Sequence, residues 1–368
     1  MLVEPQKSRK YHTPYPPLAL LKLATYHQRK GDLVKLVSGI SENGFEPDVI
    51  YITSLFTYAW EPVHEVIRFY SDRYKKARVV VGGVYASLCP DHLKESFGDR
   101  IEICRGVVPE LDHLLPAYWL IPEWKSSILF SSRGCIRKCP FCSVPQLEPK
   151  FEARKSIKHL IYPGHKKVTL WDNNILASPY WKDIFAELEE SGLEVDFNQG
   201  LDARLLTEET ALRLKRLRIP RVRLAYDSKG IKESLRKAIG LLKDVGIDGR
   251  RIVVYCLFNY LDTPVDFLER IKDLLDWGVV SYPMRYQALE PGSKDSYISP
   301  NWTKEQLEML AKARRVIGYG GAFPPYEGLK KKILNANTFE KAFSLRLPNR
   351  SRTKAVNHSK KDSKNCTK

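Results

Sequence analysis

Hydrophobic residues in the first 120 positions fall into short apolar runs separated by segments with helical spacing. The runs at residues 32–37, 49–53 and 77–83 predict β-strands, while the segment after Pro17 and residues 61–75 predict α-helices. Alternation of strands and helices is typical of a parallel sheet with helices on both faces. We therefore expect a Rossmann-like α/β domain that binds ligands beyond the carboxyl ends of its strands.

Six more apolar runs follow, and helix-like segments precede the last five of them. They cover residues 128–132, 168–171, 195–198, 222–226, 252–257 and 282–287. Six strand–helix units predict an open, partial (β/α)6 barrel, whose active site would lie at the carboxyl ends of the strands. Helical spacing returns at residues 303–316 and at about 328–343, on either side of a glycine-rich break.

These patterns divide the chain of 368 residues into four parts, and the length is sufficient for two domains with separate cores. An α/β domain occupies residues 1–120 and the partial barrel residues 121–300. A helical extension follows at residues 301–343, and a basic tail occupies residues 344–368.

The net charge of +17 is concentrated in part at the C-terminal end. Residues 346–368 contain eight Lys and Arg residues against one acidic residue, Asp362, and few large apolar residues. We expect the tail to be disordered. Without its charge of +7 the remainder still carries +10. Such a surface either binds a polyanion such as nucleic acid or serves only to keep the protein in solution.

Cysteine usage and hydropathy indicate a protein of the cytoplasm without a membrane anchor. No apolar run approaches the roughly 18 residues that span a bilayer, and the first residues lack a signal-peptide core. Four of the seven cysteines are scattered along the chain, and the total is odd. This distribution favours a reducing compartment over a disulfide framework.

The other three cysteines, Cys135, Cys139 and Cys142, have the spacing C-x3-C-x2-C. Three thiolates on one loop can bind three corners of a cubane iron–sulfur cluster and leave the fourth iron open to a substrate or cofactor. A zinc knuckle or a disulfide is the alternative. Structural zinc usually takes four ligands, and a disulfide needs an oxidising compartment, so the cluster is favoured.

This spacing, with Phe141 directly before the last cysteine, resembles the signature of radical S-adenosylmethionine (SAM) enzymes. The resemblance implies a [4Fe-4S] cluster whose open iron binds the amino and carboxylate groups of SAM. Transfer of one electron, from a donor such as a flavodoxin or ferredoxin, would cleave SAM to a 5′-deoxyadenosyl radical. That radical would abstract a hydrogen atom from a substrate that the sequence does not identify.

Polar residues also follow the predicted strands, and their order along the chain is similar to the order found in radical SAM enzymes. By this resemblance Asp172 would help to hold the SAM amino group, and Arg204 would contact its carboxylate or ribose. The candidate cofactor-binding residues are Phe141, Asp172, Asn173, Gln199, Asp202, Arg204, Asp227, Ser228 and Arg285. Taken singly, Asp227 and Ser228 could instead cap a helix, and Asp202 and Arg204 could form a surface ion pair.

The first 120 residues resemble the cobalamin-binding-like domain that precedes many radical SAM domains. The matching segments are the helix start at Pro16 and Pro17, residues 52–54 and residues 81–86. The Asp-x-His-x-x-Gly motif that supplies a cobalt ligand in some relatives is absent. The domain therefore either binds cobalamin without that histidine or is vestigial.

The leading hypothesis from the sequence is a cytoplasmic radical SAM enzyme, with cobalamin as a possible additional cofactor. The alternative is a basic, nucleic-acid-associated protein in which the cysteines hold a structural metal or cluster. A third version combines the two, with the tail as a tether to nucleic acid or another polyanion.

Overall fold

A computed structural model of the protein describes residues 1–5, 14–41, 44, 46–317 and 327–344. Parallel strands connected by helices dominate this part of the chain, which confirms the predicted α/β class.

The N-terminal unit contains a five-stranded parallel sheet in the order β2-β1-β3-β4-β5. Its strands are β1 (Leu2–Glu4), β2 (Leu36–Ser38), β3 (Val49–Ser54), β4 (Arg78–Gly83) and β5 (Glu102–Cys104). Its helices are α1 (Leu18–Arg29), α2 (Trp60–Arg73), α3 (Val84–Leu88), α4 (Pro90–Phe97) and α5 (Pro109–Asp112). Because every neighbouring pair is parallel, the carboxyl ends of the strands lie along one edge.

Two strands of this sheet differ from the sequence prediction. β1 was not predicted, although it lies between β2 and β3 and its first two side chains are buried. β2 covers only the last part of the predicted run at residues 32–37, because residues 32–35 form a loop before pairing with β1 begins.

The second unit contains the six strands predicted between residues 126 and 287. Its strands are β6 (Ser126–Leu129), β7 (Ser132–Arg133), β8 (Glu152–Ala153), β9 (Lys167–Leu170), β10 (Glu194–Phe197), β11 (Val222–Ala225), β12 (Ile252–Phe258) and β13 (Val280–Arg285). Its helices are α6 (Val144–Leu147), α7 (Trp181–Ser191), α8 (Glu208–Arg216), α9 (Lys232–Asp244) and α10 (Pro264–Asp276). β7 and β8 form a small antiparallel ribbon, and the other six strands are parallel.

The six parallel strands form two sheets, in the orders β10-β9-β6 and β11-β12-β13, rather than one continuous ladder. β10 and β11 are nonetheless neighbours, since the N–H of Val195 donates to the carbonyl of Arg218 at 3.0 Å and that of Leu201 to the carbonyl of Arg223 at 2.8 Å. An ion pair between Asp196 and Arg223 joins the two strands through their side chains. A large apolar core lies between the strands and helices α7 to α9.

The helical extension consists of α11 (Lys304–Ile317), α12 (Glu327–Asn335) and α13 (Phe339–Phe343). The helix expected at about 328–343 is thus two helices, since α12 ends at Asn335 and α13 begins at Phe339 with Thr338 as its N-cap. α13 packs against α10 through Phe267 and Phe343, whose rings are 5.8 Å apart. The predicted tail, beyond Ser344, lies outside the described residues. Among the described helices, none is both long and apolar enough to cross a bilayer.

Contacts near the carboxyl edges of the strands join the two units. The hydroxyl of Thr57 donates to the carbonyl of Ala288 at 3.1 Å, and that of Tyr15 donates to the Asn198 side chain at 2.8 Å. A buried ion pair between Lys22 and Asp112 continues to Arg133, beside the cysteine loop. The cysteine loop therefore lies where the N-terminal unit meets the second unit.

Candidate metal centre and its surroundings

The loop that carries the three cysteines is closed at its base by the β7–β8 ribbon. Ser132 pairs with Ala153 and Arg133 with Glu152. The N–H of Arg154 also donates to the carbonyl of Ser131 at 2.9 Å. These backbone contacts hold both ends of the cysteine loop at the carboxyl end of β6.

Asp172, two residues after the end of β9, supports the same base from the other side. Its carboxylate accepts hydrogen bonds from the N–H and the hydroxyl of Ser131 at 3.1 and 2.6 Å, and from those of Ser132 at 2.5 and 2.7 Å. All three residues are buried. Burial raises the pKa of Asp172, although these hydrogen bonds favour its charged form. Asp172 is therefore already engaged with four donors and positions the loop.

Gly134 and Glu148 shape the turn into the first cysteine. Gly134 has φ +72°, and a Cβ at this position would lie against the carbonyl oxygen of Lys150, so the turn requires glycine. The Glu148 carboxylate accepts from the N–H of Gly134 at 2.6 Å, from Arg133 at 2.9 Å and from the Asn173 amide at 3.0 Å. Asn173 thus contacts the loop support.

The thiols of Cys135, Cys139 and Cys142 are half-buried on this one loop. The N–H of Cys142 donates to the carbonyl of Cys139 at 3.0 Å, and the N–H of Arg137 lies 3.3 Å from the Cys135 sulfur. Burial, followed by the neighbouring thiol, raises the pKa of Cys139. Burial also raises the pKa of Cys142. Binding to a metal would have to displace the protons that these shifts favour.

Within the described ranges, no group of three His, Cys, Asp or Glu side chains is arranged to hold a metal ion. The cysteines therefore do not converge on a ready-made position for a single ion. A cubane cluster does not require the three sulfurs to converge on one position, because each thiolate binds a different iron at a separate corner. The donor set suits such a cluster through its three sulfurs, its position on one loop and its partial exposure.

A polar network adjoins Cys135. The Asn174 amide donates to Asp202 at 3.1 Å and lies 3.8 Å from the Cys135 sulfur. Arg137 and Arg204 donate to the same Asp202 carboxylate at 3.0 and 2.7 Å. Burial alone would raise the pKa of Asp202, but the hydrogen bonds from the two arginines outweigh it and lower that pKa. The ion pair considered from the sequence is thus present, but the Asp202 side chain is only 6% exposed and links the segment after β10 to the cysteine loop.

One atom of this network has an unsatisfied bonding requirement. The side-chain oxygen of Asn174 is buried and has no hydrogen-bond partner among the residues that the structure describes. Buried acceptors are normally satisfied, so an unpaired one beside a loop of thiols is a candidate contact for a bound donor. Asn174 was part of the polar strand end noted in the sequence but was not among the candidate residues.

Asp227 lies half-buried after β11. Burial raises its pKa to about 6, against the opposing effects of the Arg270 charge and the N–H of Leu257. Its charge in turn influences the pKa values of Cys139 and Cys142, so the structure brings Asp227 near two of the three thiols. Ser228 is exposed, and although it precedes a 3-10 turn its side chain makes no capping hydrogen bond.

The remaining candidates are more dispersed. Gln199 is exposed. Phe141 packs edge-on against Tyr260, with ring centroids 6.0 Å apart. Arg285 donates to the carbonyl of Tyr297 at 2.9 Å, and its buried Nε has no partner in the described part of the chain. The sequence connected these residues through predicted strand ends and the resemblance to radical SAM enzymes, and the structure ties Arg285 to the loop that follows β13.

The carboxyl edge of the N-terminal sheet borders a cavity of about 240 Å³. Prolines and apolar side chains line most of it, among them Pro16, Pro17, Leu55 and Phe56, and Trp171 contributes from the second unit. Drug-sized ligands occupy cavities of roughly 300–1,000 Å³, and a corrin with its side chains is larger than such ligands. The described lining is therefore smaller than a pocket for a ligand of that size.

The described histidines of this unit are absent from the cavity lining, and His12 lies outside the described residues. His64 and His92 both contact the hydroxyl of Tyr85, at 2.8 and 2.6 Å. The structure thus offers no histidine to cobalt at the sheet edge within the described lining. Gly83 has φ +104°, and its missing Cβ makes room for the backbone of Ser54, so packing within the sheet accounts for this glycine.

Sequence reasoning missed Glu148 and Asn174, because their roles depend on partners 14 and 39 positions away. The sequence did contain one usable signal, the three consecutive polar residues after β9.

No protein-family model matches the chain, and no curated protein is similar to it in sequence.

Proposed function

We propose that this protein is a radical SAM enzyme whose iron–sulfur cluster is held by Cys135, Cys139 and Cys142. The observation that carries the proposal is the position of the three thiols, on a braced loop at the carboxyl edge of parallel strands. The strand–helix order of residues 126–285 supports a partial (β/α)6 barrel, and active sites of β/α barrels lie at this edge. A bound [4Fe-4S] cluster would supply the electron for reductive cleavage of SAM.

The residues around the loop suit the zwitterionic end of SAM. The Asn174 oxygen and the Asp227 carboxylate could accept from an ammonium group, since the first has no partner among the described residues and the second is an acceptor near two of the thiols. Arg204 has a guanidinium that is partly exposed beside Asp202 and would pair with a carboxylate. Asp172 would act indirectly, by holding the loop through Ser131 and Ser132.

Metal content and SAM cleavage test this proposal separately. The protein would be reconstituted anaerobically, assayed for iron and sulfide, reduced with dithionite and analysed for 5′-deoxyadenosine. A variant with all three loop cysteines changed to Ala would be compared with Cys104→Ala, which removes a half-buried thiol outside the loop.

Wild type and Cys104→Ala are expected to bind about four irons per chain and to form 5′-deoxyadenosine, while the triple variant does neither. Iron bound equally by the triple variant would contradict the assignment of the ligands. A cluster in wild type without SAM cleavage would favour the alternative, a basic binding protein with a structural cluster.

We infer that the N-terminal unit acts without cobalamin, since the described part of its edge cavity is small and the described histidines His64 and His92 bind Tyr85 outside the lining. Its contacts through Thr57 and Lys22 support a structural role beside the cysteine loop. Absence of the corrin absorbance after reconstitution with hydroxocobalamin and desalting is the expected result.

A further inference from the structure

Positive charge is concentrated in one short part of the second unit. Residues 213–251 contain thirteen Lys and Arg residues against four Asp and Glu residues. This segment covers the end of α8, all of β11 and α9, and the loop before β12. It therefore accounts for much of the net charge that lies outside the tail.

Six exposed cations of this segment lie on loops at the amino ends of β11 and β12 or directly beside them. We call them the basic face, which consists of Lys215, Arg216, Arg218, Arg221, Arg250 and Arg251. Side-chain contacts join these loops. Lys215 donates to the carbonyl of Gly246 at 2.7 Å, and Arg251 donates to the carbonyls of Ile219 and Pro220.

The charge of the basic face is not neutralised by neighbouring carboxylates. Lys215, Arg218 and Arg251 bind backbone carbonyls, which are uncharged, and within the described residues none of the six cations forms an ion pair. Within the segment, the exposed acids beside these loops are Asp244 and Asp248, and the latter accepts from the backbone N–H of Arg250 at 2.7 Å. On the neighbouring strand Glu194 bridges Arg218 through the backbone, but its carboxylate pairs with Lys167 at 3.3 Å. Six cations outnumber these carboxylates and give the basic face a positive potential.

The basic face lies at the amino ends of β11 and β12, whereas the cysteine loop follows the carboxyl end of β6. Arg221 directly precedes β11, whereas Asp227, which influences the cysteine thiols, follows it. A strand of this length extends for about 13 Å. A ligand on the basic face would therefore not cover the cysteine loop, and binding there needs no metal.

We propose that the basic face binds the phosphate backbone of a nucleic acid. Five of its six cations are arginines, whose planar guanidinium groups match phosphate oxygens in pairs. A protein partner would need apolar or aromatic anchors. The exposed large hydrophobic side chains of the described chain lie outside residues 213–251, with Leu212 on α8 the nearest in sequence. With no aromatic anchor there, recognition rests on charge and is independent of base sequence.

The test uses three arginines that cap no carbonyl. The full-length variant R216E/R221E/R250E would be compared with K75E/K76E/K94E, which changes the net charge equally at exposed lysines of the N-terminal unit. Fluorescence anisotropy would measure binding to a labelled oligouridylate of about 20 nucleotides, and to a DNA duplex, between about 50 and 200 mM salt. Vesicles containing phosphatidylserine provide a second polyanion.

Binding by the arginine variant is expected to be at least about tenfold weaker, with the slope of log affinity against log salt reduced by about two for the oligouridylate. The lysine variant and the variant lacking the loop cysteines should bind like wild type. Equal weakening in both charge variants would overturn the proposal, as would unchanged nucleic-acid binding with loss of binding to vesicles only. Matching circular dichroism spectra and melting temperatures would show that both variants are folded.

Discussion

Removal of the Asp172 carboxylate provides the sharpest test of how the cysteine loop is held. This carboxylate accepts four hydrogen bonds from Ser131 and Ser132, and all three residues are buried. In Asp172→Ala the two hydroxyls can rotate toward other acceptors, but the two backbone N–H groups cannot. The substitution therefore leaves at least two buried donors without partners.

The loss of local stability in Asp172→Ala can be estimated from these unpaired N–H donors. Each unsatisfied buried group costs about 1–3 kcal/mol, and relief of the buried negative charge offsets part of the sum, so we expect about 3 kcal/mol of local destabilisation. Asp172→Asn should cost less, because its oxygen still accepts from the donors that approach Oδ1 while its NH2 group faces the N–H of Ser131. The expected order of stability is wild type, then Asn, then Ala.

Hydrogen exchange measured by mass spectrometry reports this local effect in peptides that cover residues 126–135. A loss of about 3 kcal/mol corresponds to exchange roughly 100-fold faster at the Ser131 and Ser132 amides, since each 1.4 kcal/mol is a factor of ten. Asp91→Ala, an exposed acid on α4, serves as the control and should leave this peptide unchanged. Reconstituted iron content should fall in Asp172→Ala.

The alternative role for Asp172, direct binding of the SAM amino group, gives a different result. It predicts normal exchange and normal iron content in Asp172→Ala, with a weaker affinity for SAM alone. An amide exchange rate in Asp172→Ala within twofold of wild type, in the peptide of residues 126–135, would refute the role of Asp172 in positioning the loop.

Three further predictions concern other parts of the fold. Gly134→Ala should lower reconstituted iron content and the melting temperature, because the residue needs φ +72° and the added Cβ meets the carbonyl of Lys150; unchanged iron content would contradict the need for glycine. Gly240→Ala, inside α9 with open space around it, should raise stability by about 0.5–1 kcal/mol in thermal melts, and a loss would contradict this. Burial, with the charges of His92 and Arg68, lowers the pKa of His64 to about 4, so the folded state resists protonation. The neutral His64 contributes fully to folding stability above pH 6.5, and this contribution of at most about 3 kcal/mol is lost as the pH falls toward 4. His64→Phe should therefore flatten the curve of stability against pH between these values. An unchanged curve would contradict this role of His64.

Much of the architecture could be read from local patterns. The six strands of the second unit were predicted within a few residues, because each is a short apolar run and burial on both faces leaves a clear local signal. β1 was missed because three residues at the start of a chain carry little periodicity, and its place between β2 and β3 depends on pairing with residues 36 and 51. The division of the six strands into two sheets was likewise invisible in the sequence.

In the candidate site, too, some features could be predicted from the sequence and others depend on the tertiary structure. Spacing alone identified Cys135, Cys139 and Cys142, since three thiols within eight residues must lie on one loop whatever the fold. Tertiary structure decided what surrounds them. It turned Asp172 into a support for the loop, buried Asp202 between two arginines and placed the unpaired oxygen of Asn174 beside Cys135. The physical reason is that covalent spacing determines neighbours along the chain, whereas hydrogen bonds between residues 28 to 65 positions apart form only when the strands have assembled.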